Sequence, residues 1–270
     1  MSNTISSSLL TRELIQQTFA AKATCLPPLA SIFNVREVPA PMAPSRIVEI
    51  ATCTATAATI VDGADFESGN TTITNTEVTL HQYSKQFGFT SAELQSGITV
   101  ESVLAKAIED LCGDIVDAIM APVTSGNYST ALTVGEAAFT EADLQTLFSS
   151  VASRERKILL STPYFSKIRA SWTPPGAVIH EFSRWSGAGA NIVGLACDPA
   201  GLVVIHATPN ATAIVRSPLT IQTVNIPALG INCQFSSWTT PGTRSMRCAL
   251  VAYIGSAVGI AGSLKLLKSQ

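Results

Sequence analysis

Between residues 100 and 120 the apolar positions fall at helical spacing: Val100, Leu104, Ile108, Leu111, Ile115 and Ile119 make one stripe, and Glu109, Asp110, Asp114 and Asp117 collect on the opposite side. The pattern predicts one long amphipathic helix whose stripe faces a core. Pro122 marks its end, because proline cannot continue the hydrogen-bond ladder. Upstream, Thr90 followed three residues later by Glu93 fits a capping box, in which hydroxyl and carboxylate satisfy the free backbone donors of a short helical turn.

A different period precedes the helix. Residues 46–61 are dense in Ile, Val and Thr, which favour a pleated chain, and they stop at the turn-forming run DGADFESGN over 62–70. Residues 71–80 then return with polar Thr, Asn and Glu set beside Ile73, Val78 and Leu80, so only one face has apolar residues to bury. A long hairpin arm is expected. Two strands alone are marginal in water, so the arm needs a partner surface.

At the N-terminus, residues 11–22 read as a short helix with Leu14, Ile15 and Phe19 on one side, after which Pro27, Pro28, Pro39, Pro41 and Pro44 forbid long regular structure. An extended arm follows, and its ordering entropy requires that it lie across its own domain or a neighbouring copy. Beyond the long helix, residues 123–135 form a Thr/Ser/Gly-rich loop, Thr140 caps a second helix running to Phe148, and residues 157–161 form a strand leading into a helical turn at 163–168. Short strands are expected at 191–197, 202–206, 220–226 and 247–253. The fold class is α+β, without an internal repeat or low-complexity tract.

Only 13% of the residues are charged and 46% are hydrophobic, about half the usual share of charge for a soluble domain. Much of the surface is therefore expected to be covered by further copies of the protein. A formal charge of -2 argues against a chain whose main task is to neutralise phosphates. The uncharged run over 249–264 is shorter than the roughly 20 residues a bilayer requires, and Gly255, Gly259 and Gly262 suit close packing in a terminal sheet, so no membrane contact is expected. The first residues lack a basic region followed by a hydrophobic one, which points to synthesis in a reducing cytoplasm. Cys25, Cys53, Cys112, Cys197, Cys233 and Cys248 are scattered without metal-ligand spacing, and Cys112 and Cys197 read as small buried hydrophobes.

The order of arm, long hairpin, long helix, mixed domain and closing strands resembles the Hong Kong 97-like fold of tailed-bacteriophage major capsid proteins. Four passages carry the likeness: IVDGAD at 60–65, EVTL at 77–80 with FGFTSAEL at 87–94, KILLSTPYF at 157–165, and GLACDPAGLVV at 194–204. The weight lies in their order. The resemblance implies an N-terminal arm over 1–44, an extended loop over 45–84, a peripheral domain from 85–122 and 238–270 with the long helix as its spine, and an axial domain over 123–237. It also implies self-assembly into hexamers and pentamers of an icosahedral head around double-stranded DNA. Scaffolding and portal proteins, and in some heads a decoration protein, are the further partners, and the mature location is the virion of a phage made in a bacterial cytoplasm. The tip residues Asp62, Gly63, Asp65, Phe66, Glu67 and Asn70 become the expected contact with the neighbouring subunit. If the acidic side of the long helix faces the genome, Glu109, Asp110, Asp114 and Asp117 keep DNA contacts weak and non-specific.

No enzyme signature competes. His81, His180 and His206 are far apart in sequence, the acids at 62, 65 and 67 are explained by turn chemistry, and the glycine-rich run over 187–194 lacks the spacing of a phosphate-binding loop. No catalytic residue, metal or cofactor is expected. An encapsulin-like compartment of the same fold is the nearest alternative, and an unrecognised α/β enzyme the distant one. One departure from the family pattern has a direct consequence. The best-known shell of this family is cross-linked through a lysine in the extended loop, but no lysine lies between Lys22 and Lys85 here. Boiled and reduced particles should therefore run as single-chain bands in SDS gels, and an SDS-resistant ladder would contradict this.

Overall fold

The computed structural model describes residues 12–23, 26, 28–38, 45–54, 70–90, 92–93, 100–153, 155–208, 220–240 and 245–270. Its larger sheet is organised around one strand, β12 (Ser245–Val258), the fourteen-residue run that includes most of the uncharged C-terminal segment. Along one edge β12 pairs antiparallel with β4 (His81–Phe89), from Met246 opposite Phe89 to Ile254 opposite His81. Its other edge is shared end to end by β11 (Ile231–Thr240), opposite residues 245–251, and β9 (Leu202–Ala207), opposite residues 253–258. Outside these lie β10 (Thr220–Ile226), antiparallel to β11, and β1 (Asn34–Val38), parallel to β9. Among the described residues no helix is long and apolar enough to cross a membrane.

The long helix, α3 (Val100–Met120), lies across one face of this sheet. Leu104, Ile108, Leu111, Ile115 and Ile119 are all fully buried, and Val100 packs half-buried against the same core. Their partners come from alternate positions of the strands: Tyr83 and Phe87 of β4, Cys248, Leu250, Ala252 and Ile254 of β12, and Cys233 and Phe235 of β11. Each buried aliphatic side chain contributes roughly 1.5–3 kcal/mol, so the stripe is a principal source of stability. The expected capping box forms at Thr90–Glu93, and the cap expected at Thr140 is a second box, closed by Asp143, that opens α4 (Glu141–Ser149).

A second sheet has the order β5 (Thr130–Thr133), β13 (Leu264–Lys268), β8 (Ile192–Cys197), β6 (Lys157–Leu160) and β7 (Val178–Glu181). Strand alternation divides its side chains. Leu159, Leu195 and Leu266 join the core under α3, while Ile158, Leu160, Ala196 and Leu267 pack beneath Leu144, Leu147 and Phe148 of α4. The short helix α5 (Thr162–Phe165) adds Tyr164 to that second cluster.

The sheets cut across the boundary expected at 237/238. Strand β13 lies with β5 to β8 rather than with β12, whereas β9, β10 and most of β11 lie with β4 and β12. The reason is that pairing is set by edges far apart in the chain, which the apolar pattern of a single segment does not specify. The loop expected over 123–135 also contains β5, which pairs parallel with β13.

The sheet units are tied together across α3. Arg184 donates two hydrogen bonds to the Asp117 carboxylate, at 3.0 and 2.6 Å, and Ser186 Oγ donates a third at 2.6 Å. Burial works against the charge on Asp117, but these donors outweigh it and hold the carboxyl below its usual range. The guanidinium crosses the helix over Gly113, where an added Cβ would lie 2.7 Å from Arg184 Cζ. Replacing glycine by alanine in a helix ordinarily stabilises by about 0.8–1 kcal/mol. Here Gly113→Ala should give almost no gain, because it displaces Arg184, and in an Arg184→Ala background it should recover about 1 kcal/mol. Denaturant unfolding of the four proteins measures this coupling, and an equal gain in both backgrounds would show that the contact is immaterial.

Candidate assembly surfaces

The hairpin arm consists of β2 (Ser45–Thr54) and β3 (Asn70–Thr79), paired antiparallel from Ser45 opposite Thr79 to Thr54 opposite Asn70. The arm meets the body at its root. There Val78 and Leu80, 1% and 6% exposed, pack on Val203, Ile205 and Ala207, with Val38, Tyr253 and Ala257 at the margin. Of the expected tip contacts, Asp62, Gly63, Asp65, Phe66 and Glu67 lie outside the described residues, while Asn70 opens β3. The other half of the expected site, the helix stripe, is inside the core and positions the arm only indirectly.

The N-terminal segment resolves one expectation in favour of its own chain. Helix α1 (Arg12–Ala23) packs on α3 and β10, with Ile15 and Phe19 fully buried. A short turn of helix, α2 (Leu29–Ile32), is held by Ala30 N–H donating to the Ala228 carbonyl at 3.0 Å and by Lys157 Nζ donating to the Ser31 carbonyl. Strand β1 then extends the larger sheet. Beside it Glu37 accepts from Thr208 Oγ1 at 2.6 Å and from Asn232 Nδ2 at 3.3 Å, and the Thr208 bond holds its carboxyl below the usual range. Helices α1 and α2 and strand β1 are therefore built into the fold, whereas β2 and β3 pair with each other in a two-stranded sheet of their own.

The acidic side of α3 is not a bare anionic stripe. Glu109 lies 3.7 Å from both Lys22 and Lys106, Asp110 3.0 Å from Lys106, Asp114 2.7 Å from Lys85, and Asp117 2.6 Å from Arg184. Four carboxylates thus meet four cations, and the expected repulsion of phosphate loses its local cause. The pairs are exposed or partly exposed, so water and salt screen them and each contributes little to stability. Between β4 and α3 they border a shallow groove of about 370 Å³ with Phe87, Val103 and Ala107 in its floor and Lys85, Lys106 and Asp110 on its rim. The apolar stripe was readable from sequence, but this groove depends on β4 and was not.

The three histidines lie on three different strands. His81 is exposed on β4, His180 sits half-buried on β7, and His206 is buried on β9. Burial lowers the pKa of both His180 and His206, with Lys157 adding to the first and Glu37 opposing the second. Cys112, Cys197, Cys233 and Cys248 are buried and reduced, and burial pushes the thiols of Cys112 and Cys248 up to about 12. They are packing residues, not nucleophiles. Among the described residues no group of three or more His, Cys, Asp or Glu could hold a metal. The run over 187–194 serves packing: Gly187 lies against the Asp117 backbone and Gly189 N–H donates to the Val123 carbonyl.

No family model matches the sequence, and none of the curated proteins matches it significantly. The structure does find relatives in shape. A virus-like particle protein from Pyrococcus furiosus superposes with a TM-score of 0.59 at 12% identity, covering 95% of this chain and 98% of that one. The capsid of the cyanophage P-SCSP1u gives 0.58 at 8% identity, over 90% and 88% of the two chains, and the mature capsid of bacteriophage PhiM1 gives 0.55 at 10%, over 89% and 86%. The chain thus has the mixed α and β fold of phage and virus-like-particle capsid proteins.

Proposed function

We propose that this chain is the major capsid protein of a tailed phage, assembling as hexamers and pentamers into an icosahedral head that encloses double-stranded DNA. The observation that carries the reading is the hairpin arm, twenty strand residues in a two-stranded sheet of their own, whose root at Val78 and Leu80 packs on the body. A neighbouring subunit supplies the surface that such an arm lacks, and the tip, with Asp62, Gly63, Asp65, Phe66, Glu67 and Asn70, makes that contact. On this reading α3 is the spine of a peripheral domain with the larger sheet, and the second sheet with α4 and α5 forms the axial domain. Scaffolding and portal proteins guide closure, a decoration protein is a further candidate partner, and synthesis takes place in the host cytoplasm. DNA is held weakly and without sequence preference, consistent with the formal charge of -2 and with a helix face whose charges are paired internally. Its role is structural rather than catalytic.

The likeness to the Pyrococcus furiosus virus-like particle favours one second reading, an encapsulin-like protein compartment. Both readings predict closed shells. Expressed with a scaffold candidate, the protein should sediment as large particles and show shells or capsomers in negative stain, and a monodisperse monomer under all such conditions would count strongly against both. Packaged DNA then distinguishes the phage head from the compartment.

Shortening the tip separates folding from assembly. Replacing residues 62–70 by a two-residue Asn-Gly turn should leave the thermal unfolding of the monomer nearly unchanged, because the described core lies elsewhere. Shell yield should collapse, since losing interface anchors costs roughly 2 kcal/mol or more per hot-spot residue and the loss recurs at every subunit. Normal shells at normal yield would refute an assembly role for the tip, and an unstable monomer would place the hairpin in the core.

A further inference from the structure

The larger sheet has a crossing point at the root of the arm. Strand β4 leaves the edge of β12 at His81 opposite Ile254, and Gly255 is the next residue of β12. Leu80 alone separates β4 from β3, so within that one residue the chain moves from the edge of the sheet onto its face. It passes directly over Gly255. A Cβ built there would overlap the Thr79 carbonyl oxygen and lie 2.8 Å from Val78 Cγ1, and the obstructing oxygen is backbone, which cannot swing aside as a side-chain tip can. Val78 and Leu80 pack with Val203, Ile205 and Ala207 of β9 in one buried cluster. Next to it, an open cleft of about 390 Å³ separates Glu77, Thr79 and His81 from Ala118, Ala121 and Pro122 at the end of α3. The root is therefore held tightly on one side and has open space on the other.

The geometry points to Gly255 as the seat that fixes the direction of the hairpin arm, with Val78 and Leu80 as its two pegs, so that one position in the body sets the angle at which the arm reaches a neighbouring copy. The consequence for shells rests on the assembly reading above, while the seat itself is a property of the single chain. An alanine at 255 lifts the Thr79 backbone by roughly 1 Å to reach ordinary contact distance, and position 72 lies about 23 Å further along the strand, at ~3.3 Å per residue. The arm acts as a lever. A displacement of about 3 Å is expected at position 72.

Spin labels at Thr72→Cys on β3 and Gln145→Cys on the exposed side of α4 measure this distance in the monomer, with Cys25 and Cys53 replaced by serine and the four buried cysteines unreactive. Gly255→Ala should shift the mean distance by about 3 Å without broadening it, and Leu80→Ala, which removes a peg without a clash, should broaden it. Unchanged mean and width in the two variants would overturn the proposal. If Gly255→Ala does not fold, Leu80→Ala and Val78→Ala decide, with parent-like widths in both again overturning it. Particle diameter in negative stain is the second readout: Gly255→Ala should change it or abolish closure. A parent chain that forms no particles would sink the assembly reading and leave the label distances to judge the seat.

Discussion

A strand buried on both faces must have its backbone hydrogen bonds satisfied by other strands, and β12 imposes that requirement on the rest of this molecule. Met246, Cys248, Leu250, Ala252 and Ile254 turn toward α3, while Ala249 and Val251 are buried on the opposite face. Fourteen residues of such a strand exceed the length of any one partner on its second edge. Hence β11 and β9 share it end to end, and each brings a further strand with it. Strand β4 fills the first edge only as far as Ile254, and the arm begins where that pairing stops.

The long helix then has a defined task. It covers the face that β4, β12 and β11 present, and its second half carries the link to the smaller sheet through Asp117, Arg184 and Ser186. Ser256 Oγ adds a bond to the Ala118 carbonyl at 2.6 Å, and the buried Tyr128 hydroxyl donates to the Gly201 carbonyl at 2.7 Å. Because both sheets contribute to one continuous core, the smaller sheet is not a freely hinged attachment. A load applied to either sheet is transmitted through packed side chains and the clamp on α3.

The sequence made some parts of this legible and hid others for physical reasons. The stripe from Val100 to Ile119 is readable because a helix buries residues according to its own period, and the Thr90–Glu93 capping box and the Thr140 cap because each is closed within four residues. Hairpin strands β2 and β3 are readable for the same local reason. Strands β4, β7 and β11 are obscured by polar residues at positions that the sheet nevertheless buries or half-buries, among them Gln234, Ser236 and Ser237 of β11 at 1–2% exposure. Strand β13, Leu-Lys-Leu-Leu-Lys, begins where the uncharged run over 249–264 ends and is too short to stand out by its own pattern, and its place beside β5 and β8 is a matter of long-range pairing. The turn at 62–70 is marked by its own residue types, while the contact expected of it came only from the family resemblance, and the groove beside α3 required the position of β4.

The low charge and the shape of the arm have a common origin. A monomer that had to stay soluble and self-contained would gain from charge along β2 and β3 and from a shorter hairpin, because unpaired edges invite pairing with other chains. Instead the return strand is mostly threonine and asparagine, with Glu77 as its one charge and Ile73 and Val78 as its large apolar residues. Its end, Val78 with Leu80 just beyond it, is committed to the core. On the assembly reading, free energy missing from the monomer becomes available when a second copy covers the strand. The body itself is fixed by the α3 stripe packed on β12, and the arm joins it at Val78 and Leu80. If shells form as proposed, the position of that root on β12 carries the geometry of one subunit into the geometry of the assembly.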